Sequence, residues 1–159
     1  MKKTPICSEL ARFPERFHPF LTGCPVYDSS CSREARVWYL EREGGLYLKC
    51  SPKGTLAREA VMTRYFHEKG LAAEVLAYES LEEDWLLTAA VPGEDCTAGE
   101  YTDDPKRLSA LLGERLRMLH ALSGEGCPVP DHTARYLTKA EENHRRGMFD
   151  PQSVGSPFS

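Results

Sequence analysis

The chain has 159 residues, 41% of them hydrophobic and 28% charged, with a formal net charge of −4. That is the balance of an ordinary soluble globular domain. The acidic sign, with no basic run longer than two residues, argues against a nucleic-acid partner, since a phosphate backbone is held by a basic patch; an acidic surface would suit a polycationic ligand. Lys2 and Lys3 are followed by Thr4-Pro5-Ile6-Cys7-Ser8-Glu9, which offers no apolar core for a signal peptide, and no stretch approaches the length of a membrane span. The expected location is the cytoplasm, with no membrane partner. Cys7, Cys24, Cys31, Cys50, Cys96 and Cys127 are scattered, with no CxxC pair and no histidine at zinc spacing, so free thiols are expected rather than a metal cluster or disulfide framework.

A short apolar segment, Pro19 to Leu21, leads into residues 23–34, a stretch of small and hydroxyl residues that includes Ser29, Ser30 and Ser32. Small residues let backbone amides approach a phosphate, and serine hydroxyls add donors. An ordinary polar loop explains the same composition. With a single glycine the stretch is neither a Walker loop nor GxGxxG. Ala35 to Arg42, rich in β-branched and aromatic residues, then Glu43-Gly44-Gly45 and Leu46 to Cys50, predict a β-hairpin with Lys49 near the end of its second strand. The Pro52-Lys53-Gly54 turn leads into a predicted helix from Thr55 to Lys69, with Thr55 as N-cap and Gly70 as stop.

Glu59, Met62 and Phe66 fall at i, i+3 and i+7 of that helix, so the carboxylate shares a face with apolar side chains and need not face water. An acid on an inward face wants a cation, and Lys49 can supply it. A strand lysine held by a helical carboxylate is the device by which kinase-like enzymes grip the α and β phosphates of ATP. Phosphoryl transfer is therefore the leading functional reading.

Glu74 to Glu79 reads as a strand, Glu82-Glu83-Asp84 as an acidic turn, and Trp85 to Val91 as a returning strand that Pro92-Gly93 ends. The layout is α+β: an antiparallel sheet of about five strands with one helix inserted after the third, leaving through a short linker. Cys96 to Tyr101 reads as a connector. Asp103-Asp104-Pro105 opens a further helix, with an acid at the cap and proline at the first position. Leu108, Leu111, Leu112, Leu116, Leu119 and Leu122 give it an apolar stripe that reads as core, and His120 beside Leu119 reads as structural rather than as a base. Gly124 to Pro130 breaks the pattern before a polar helix, Thr133 to Arg146, closed by Gly147; Arg145-Arg146 is a solvated helix end.

Together these segments resemble the aminoglycoside phosphotransferases, most of all the 3′-phosphotransferase branch within the protein-kinase-like fold. The similarity runs from about Phe20 to Asp150. It rests on Leu46-Tyr47-Leu48-Lys49, on Arg58-Glu59-Ala60, on the run from Asp84 to Gly93, and on Leu116-Arg117-Met118-Leu119-His120-Ala121-Leu122 followed by Cys127-Pro128. The resemblance implies a small lobe with one inserted helix, followed by the helical start of a large lobe. It implies ATP and Mg2+ as cofactors and an aminoglycoside antibiotic as substrate, with resistance as the outcome. Lys49 becomes the α/β-phosphate ligand and Glu59 its ion-pair partner. Thr88 guards the back of the adenine pocket, while the C=O of Ala89 and the N–H of Val91 bond the adenine edge; Thr88 to Val91 also reads as a buried edge strand. Ser30 and Ser32 are similar in position to the family's nucleotide-loop serine.

One departure limits the resemblance. The family continues with a His-Gly-Asp-(x)4-Asn loop that supplies the catalytic aspartate and a magnesium-binding asparagine, then an Asp-containing metal motif. Here His18, His67, His120, His132 and His144 are followed by Pro, Glu, Ala, Thr and Arg. No catalytic and no metal-binding residue is therefore assigned. A kinase-like enzyme needs two lobes and roughly 250 residues, so the expected division is a small lobe over residues 1–91, a hinge over 92–96, and a partial large lobe over 97–159 without the catalytic loop. A truncated product or a fragment is expected, inactive alone. Another small-molecule kinase of the same fold and a non-catalytic nucleotide-binding fragment are the alternative readings.

Overall fold

Alternation decides how the sheet is sided. The structure, a computed structural model, describes residues 4–6, 10–31, 34–93, 96 and 99–148. Strand β3, Arg36–Leu40, pairs antiparallel with β4, Leu46–Pro52. Trp38 and Leu40 of β3 and Leu48 and Cys50 of β4 are buried on one face, so Val37, Tyr39, Tyr47 and Lys49 take the other. Between them Gly44 and Gly45 turn the chain at φ +77° and +71°, a region costly for any residue with a Cβ.

β4 continues through a turn into helix α2, Ala57–His67, which returns the chain to β5, Val75–Ser80, and β6, Glu83–Ala89. β6 inserts between β4 and β5, and all pairings are antiparallel. With β2, Val26–Asp28, beside β3, this gives the five expected strands with the helix after the third. A sixth short strand, β1, Thr4–Ile6, extends the edge beyond β2. Residues 23–34 read as loop, yet β2 lies within them, and no strand is expected at Thr4–Ile6. Each has only three residues, too few for a periodic signal.

One face of the sheet is covered by the N-terminal segment. Two short 3₁₀ turns, Leu10–Arg12 and Glu15–Phe17, and helix α1, His18–Leu21, carry Phe13, Phe17 and Leu21 onto Trp38, Leu48, Trp85 and Leu87. Trp38 and Trp85 stack, with ring centroids 5.7 Å apart and planes at 10°, and Phe13 meets both edge-on at 5.2 and 6.1 Å. On the opposite face α2 seats Leu56 and Ala60 against Leu86, with Val75 and Tyr78 beside them. Gly70, at φ +70°, closes α2 as expected: its N–H bonds the His67 carbonyl and that of Leu71 the Phe66 carbonyl.

The N-cap is different from the one expected. Thr55 turns its hydroxyl to the Pro52 carbonyl at 2.6 Å, and the Leu56 N–H is taken instead by Asp84 Oδ2 at 2.9 Å. Asp84, expected in an acidic turn, lies in β6 and is fully buried.

The segment read as a connector holds a short helix, α3, Gly99–Thr102. Helix α4, Pro105–His120, starts as expected: Asp104 Oδ1 accepts the Arg107 N–H at 3.0 Å, with Pro105 at the first position. Its leucine stripe does not form core. No residue of α4 is buried, and Leu111, Leu112, Leu116 and Leu119 are between 37% and 53% exposed. His120 is exposed too. Residues to Pro128 form one compact unit and those from Val129 a second. The second holds α5, Thr133–Arg145, braced on its own surface by Lys139–Glu142 and Arg146–Glu142 ion pairs.

Candidate functional site

Lys49 and Glu59 meet. Lys49 Nζ lies 2.7 Å from Glu59 Oε2 and 3.0 Å from Oε1, so the ammonium is gripped by both carboxylate oxygens. Two features create the meeting. Strand alternation sends Lys49 to the face that α2 covers, and the turn after β4 brings Glu59 into the first helical turn. Their side chains are 31% and 43% exposed, so Glu59 does not face inward as its spacing with Met62 and Phe66 suggested. The buried stripe of α2 runs instead through Leu56 and Ala60, one turn apart.

Solvent sets the energy of this pair. An ion pair so exposed contributes about 1 kcal/mol or less to folding. The geometry therefore serves less as a brace than as a way of holding a positive charge at the lip of a cavity. That cavity, about 350 Å³, lies along Lys49, Val37, Ser51 and Glu59, with Cys31 and Thr55 at its sides. Its size falls in the range of small-molecule sites. A flexible ammonium beside hydroxyls and small side chains can take an anion.

The loop serines divide. Ser30 is exposed, and its Oγ accepts the Val37 N–H at 3.0 Å while its own N–H bonds Asp28 Oδ1 at 2.8 Å. Its hydroxyl thus ties the loop to β3, while Cys31 and Glu34 of the same stretch line the cavity. Ser32 lies outside the described residues.

Thr88 stands opposite Tyr47 of β4 and Val75 of β5 near the end of β6, partly buried as an inner strand residue. The Ala89 N–H bonds the Glu74 carbonyl at 2.9 Å, and the Ala90 N–H bonds the Gly45 carbonyl at 2.9 Å, on the β4 side. In an extended strand the N–H and C=O of one residue point the same way, so the Ala89 carbonyl looks away from β4. Val91 is 67% exposed at the start of the segment that leaves the sheet.

Three further residues shape the site. Tyr47 shares the face of Lys49, two positions earlier, and its ring lies 5.2 Å from that of Tyr39. The period-2 spacing from Lys49 was the available signal; Tyr47 itself is not among the residues that line the cavity. Cys50, adjacent to Lys49 in sequence, points into the core, where burial pushes its thiol up to about 11; it is no nucleophile at neutral pH. Asp84 is the third. Burial works to raise its carboxyl, but hydrogen bonds from Ser80, from the Leu56 and Gly54 backbone and from Tyr78 outweigh it and hold the group below the usual carboxylate range. The sequence signal was an acid directly before the apolar run Trp85-Leu86-Leu87.

Residues 32–152 match the phosphotransferase enzyme family. The chain belongs to that family. Within it, the chain is similar to a probable aminoglycoside 3′-phosphotransferase of Lactococcus lactis subsp. lactis strain IL1403, with 43% identity over 135 residues, 84% of this chain and 52% of the relative. An aminoglycoside 3′-phosphotransferase of Streptomyces fradiae is 27% identical over 120 residues, 69% of this chain and 44% of that protein. Among solved structures of the family, the crystal structure of aminoglycoside-3′-phosphotransferase of type VIII superposes with a TM-score of 0.62 at 27% identity, covering 88% of this chain and 52% of the other. The fold is thus that of the kinase-like phosphotransferases. The chain spans about half the length of the curated relatives it matches.

Proposed function

We propose that the chain carries the nucleotide-binding half of an ATP- and Mg2+-dependent O-phosphotransferase that acts on an aminoglycoside antibiotic and so confers resistance, in the cytoplasm. The observation that carries the proposal is the two-oxygen grip of Glu59 on Lys49 at the lip of the 350 Å³ cavity. ATP, when bound, supplies the γ-phosphoryl group that is transferred. Lys49 neutralises and orients its α and β phosphates, and Glu59 keeps the ammonium from collapsing elsewhere between turnovers. The base lies toward Tyr47 and Thr88, with the Ala89 carbonyl and Val91 N–H as its edge partners. Of the loop, Ser30 holds the strand while Ser32 remains an assigned phosphate donor. In this reading residues 1–91 are the small lobe, 92–96 the hinge and 97–159 part of the large lobe. None of the chain's own residues is assigned to magnesium or to the attacking hydroxyl, because no histidine is followed by Gly-Asp. These 159 residues alone are expected to transfer no phosphate.

The test uses the whole reading frame, expressed with and without Lys49→Ala, given Mg2+, ATP and kanamycin and read by mass spectrometry. Phosphorylated kanamycin that falls by orders of magnitude in the variant supports the proposal, since both positioning and charge neutralisation are lost. Undiminished phosphorylation by the Lys49→Ala protein refutes the role of Lys49.

A further inference from the structure

Lys49 and Glu59 are too exposed for their ion pair to hold a helix against a sheet. Something else must fix where α2 starts, because Glu59 sits in its first turn. Helix α2 has no side-chain cap of its own, since its N-cap residue is Leu56. Asp84 fills that role from 28 residues away. Its Oδ2 takes the Leu56 N–H at 2.9 Å and its Oδ1 accepts the Ser80 hydroxyl at 2.7 Å. Asp84 is also the register partner of Ser51 in β4, two residues beyond Lys49. One buried carboxylate therefore ties the start of α2 to β6, the strand paired with the β4 that carries Lys49. The three residues from Leu56 to Glu59 rise about 4.5 Å along the helix axis, so any shift of the cap passes almost undamped to the Glu59 carboxylate.

We propose that Asp84 is a positioning residue for nucleotide binding: by capping α2 it sets the distance between Glu59 and Lys49. The inference rests on the nucleotide role proposed above for Lys49. Asp84 acts on ATP only through that pair, so its effect vanishes when Lys49 is already gone.

The experiment uses the full 159-residue chain, with a fluorescent trinitrophenyl derivative of ATP as probe and amide hydrogen exchange as a second readout. Asp84→Asn keeps the shape but removes one acceptor. It is expected to weaken probe binding about fivefold, the scale of coupling inside one hydrogen-bonded network. The double variant with Lys49→Ala is expected to bind no more weakly than Lys49→Ala alone. Exchange is expected to speed up at the Leu56 and Ala60 amides and to stay unchanged at those of β3, which a general loss of stability would move as well. Unchanged exchange at Leu56 and Ala60, unchanged probe affinity, or additive effects with Lys49→Ala overturn the inference. If Lys49→Ala binds the probe as well as the unmodified chain, or neither binds, the nucleotide role of Lys49 falls, and hydrogen exchange still decides whether Asp84 positions α2. Should Asp84→Asn not fold, Ser80→Ala decides: it removes only the bond to Oδ1, and unchanged exchange at Leu56 refutes the claim.

Discussion

Gly44 and Gly45 allow a conformational cost to be separated from a packing cost within one turn. Both residues have φ in the left-handed region, at +77° and +71°, so an alanine at either costs about 1 to 2 kcal/mol. Their surroundings differ. Nothing lies within 4 Å of a Cβ added at Gly44, whereas one at Gly45 would meet the Tyr39 ring at 2.8 Å and the Ala90 Cβ at 3.2 Å. Tyr39 is only half-buried and can yield, so the extra cost falls toward the lower end of the roughly 1 to 3 kcal/mol typical of overpacking. Gly44→Ala is expected to lose about 1 to 2 kcal/mol and Gly45→Ala about 2 to 4. With a urea slope of about 2 kcal/mol per M, the difference separates the midpoints by roughly 0.5 to 1 M. Urea unfolding followed by tryptophan fluorescence reads this directly, because Trp38 and Trp85 sit in the core. In a Tyr39→Ala background the gap between the two glycine variants is expected to narrow, leaving only the Ala90 contact. Equal midpoints in the unmodified background, or a gap unchanged by removal of the Tyr39 ring, would refute the packing explanation.

Leu48 is fully buried among the aromatic rings of the core, so Leu48→Ala is expected to cost about 2 to 5 kcal/mol in the same urea assay. The carboxyl of Asp84 lies below its ordinary range in the folded chain, so its contribution to stability is fully present above the unfolded pKa, about 3.9, and is lost as pH falls through the folded one. Asp84→Asn is accordingly expected to flatten the acid limb of a stability profile measured from pH 7 downward; an unchanged acid limb would contradict that assignment. On α4, Leu112 and Leu116 are 47% and 53% exposed, so the 159-residue chain is expected to bind an apolar dye or self-associate, and Leu112→Glu with Leu116→Glu to reduce both in fluorescence and sedimentation measurements.

The parts of the fold governed by local chemistry were legible. Two glycines between apolar runs marked the hairpin, Asp104 before Pro105 marked the start of α4, and Gly70 marked the end of α2. The meeting of Lys49 and Glu59 was legible because strand period and helix start together fix both side chains. What failed depended on distant residues. Thr55 had the right chemistry for a cap, but its hydroxyl is spent on the Pro52 carbonyl, and the helix start is held through the Leu56 N–H by Asp84, 28 positions beyond Leu56 and linked to it by no local pattern. Glu59 shared its spacing with Met62 and Phe66, yet close approach to Leu86 selected the smaller Ala60 for the buried stripe. The apolar run of α4 marked an apolar face that lies exposed in this chain, since periodicity reports which face is apolar and not what covers it.

The most direct measurement is the reactivity of Lys49 itself. The 159-residue chain would be acylated with an amine-selective reagent, with and without millimolar ATP, and the labelling of each lysine read by peptide mass spectrometry. ATP is expected to protect Lys49 while leaving the exposed Lys106 and Lys139 labelled as before. Equal labelling of Lys49 in both conditions would contradict a phosphate-binding role at the site it shares with Glu59.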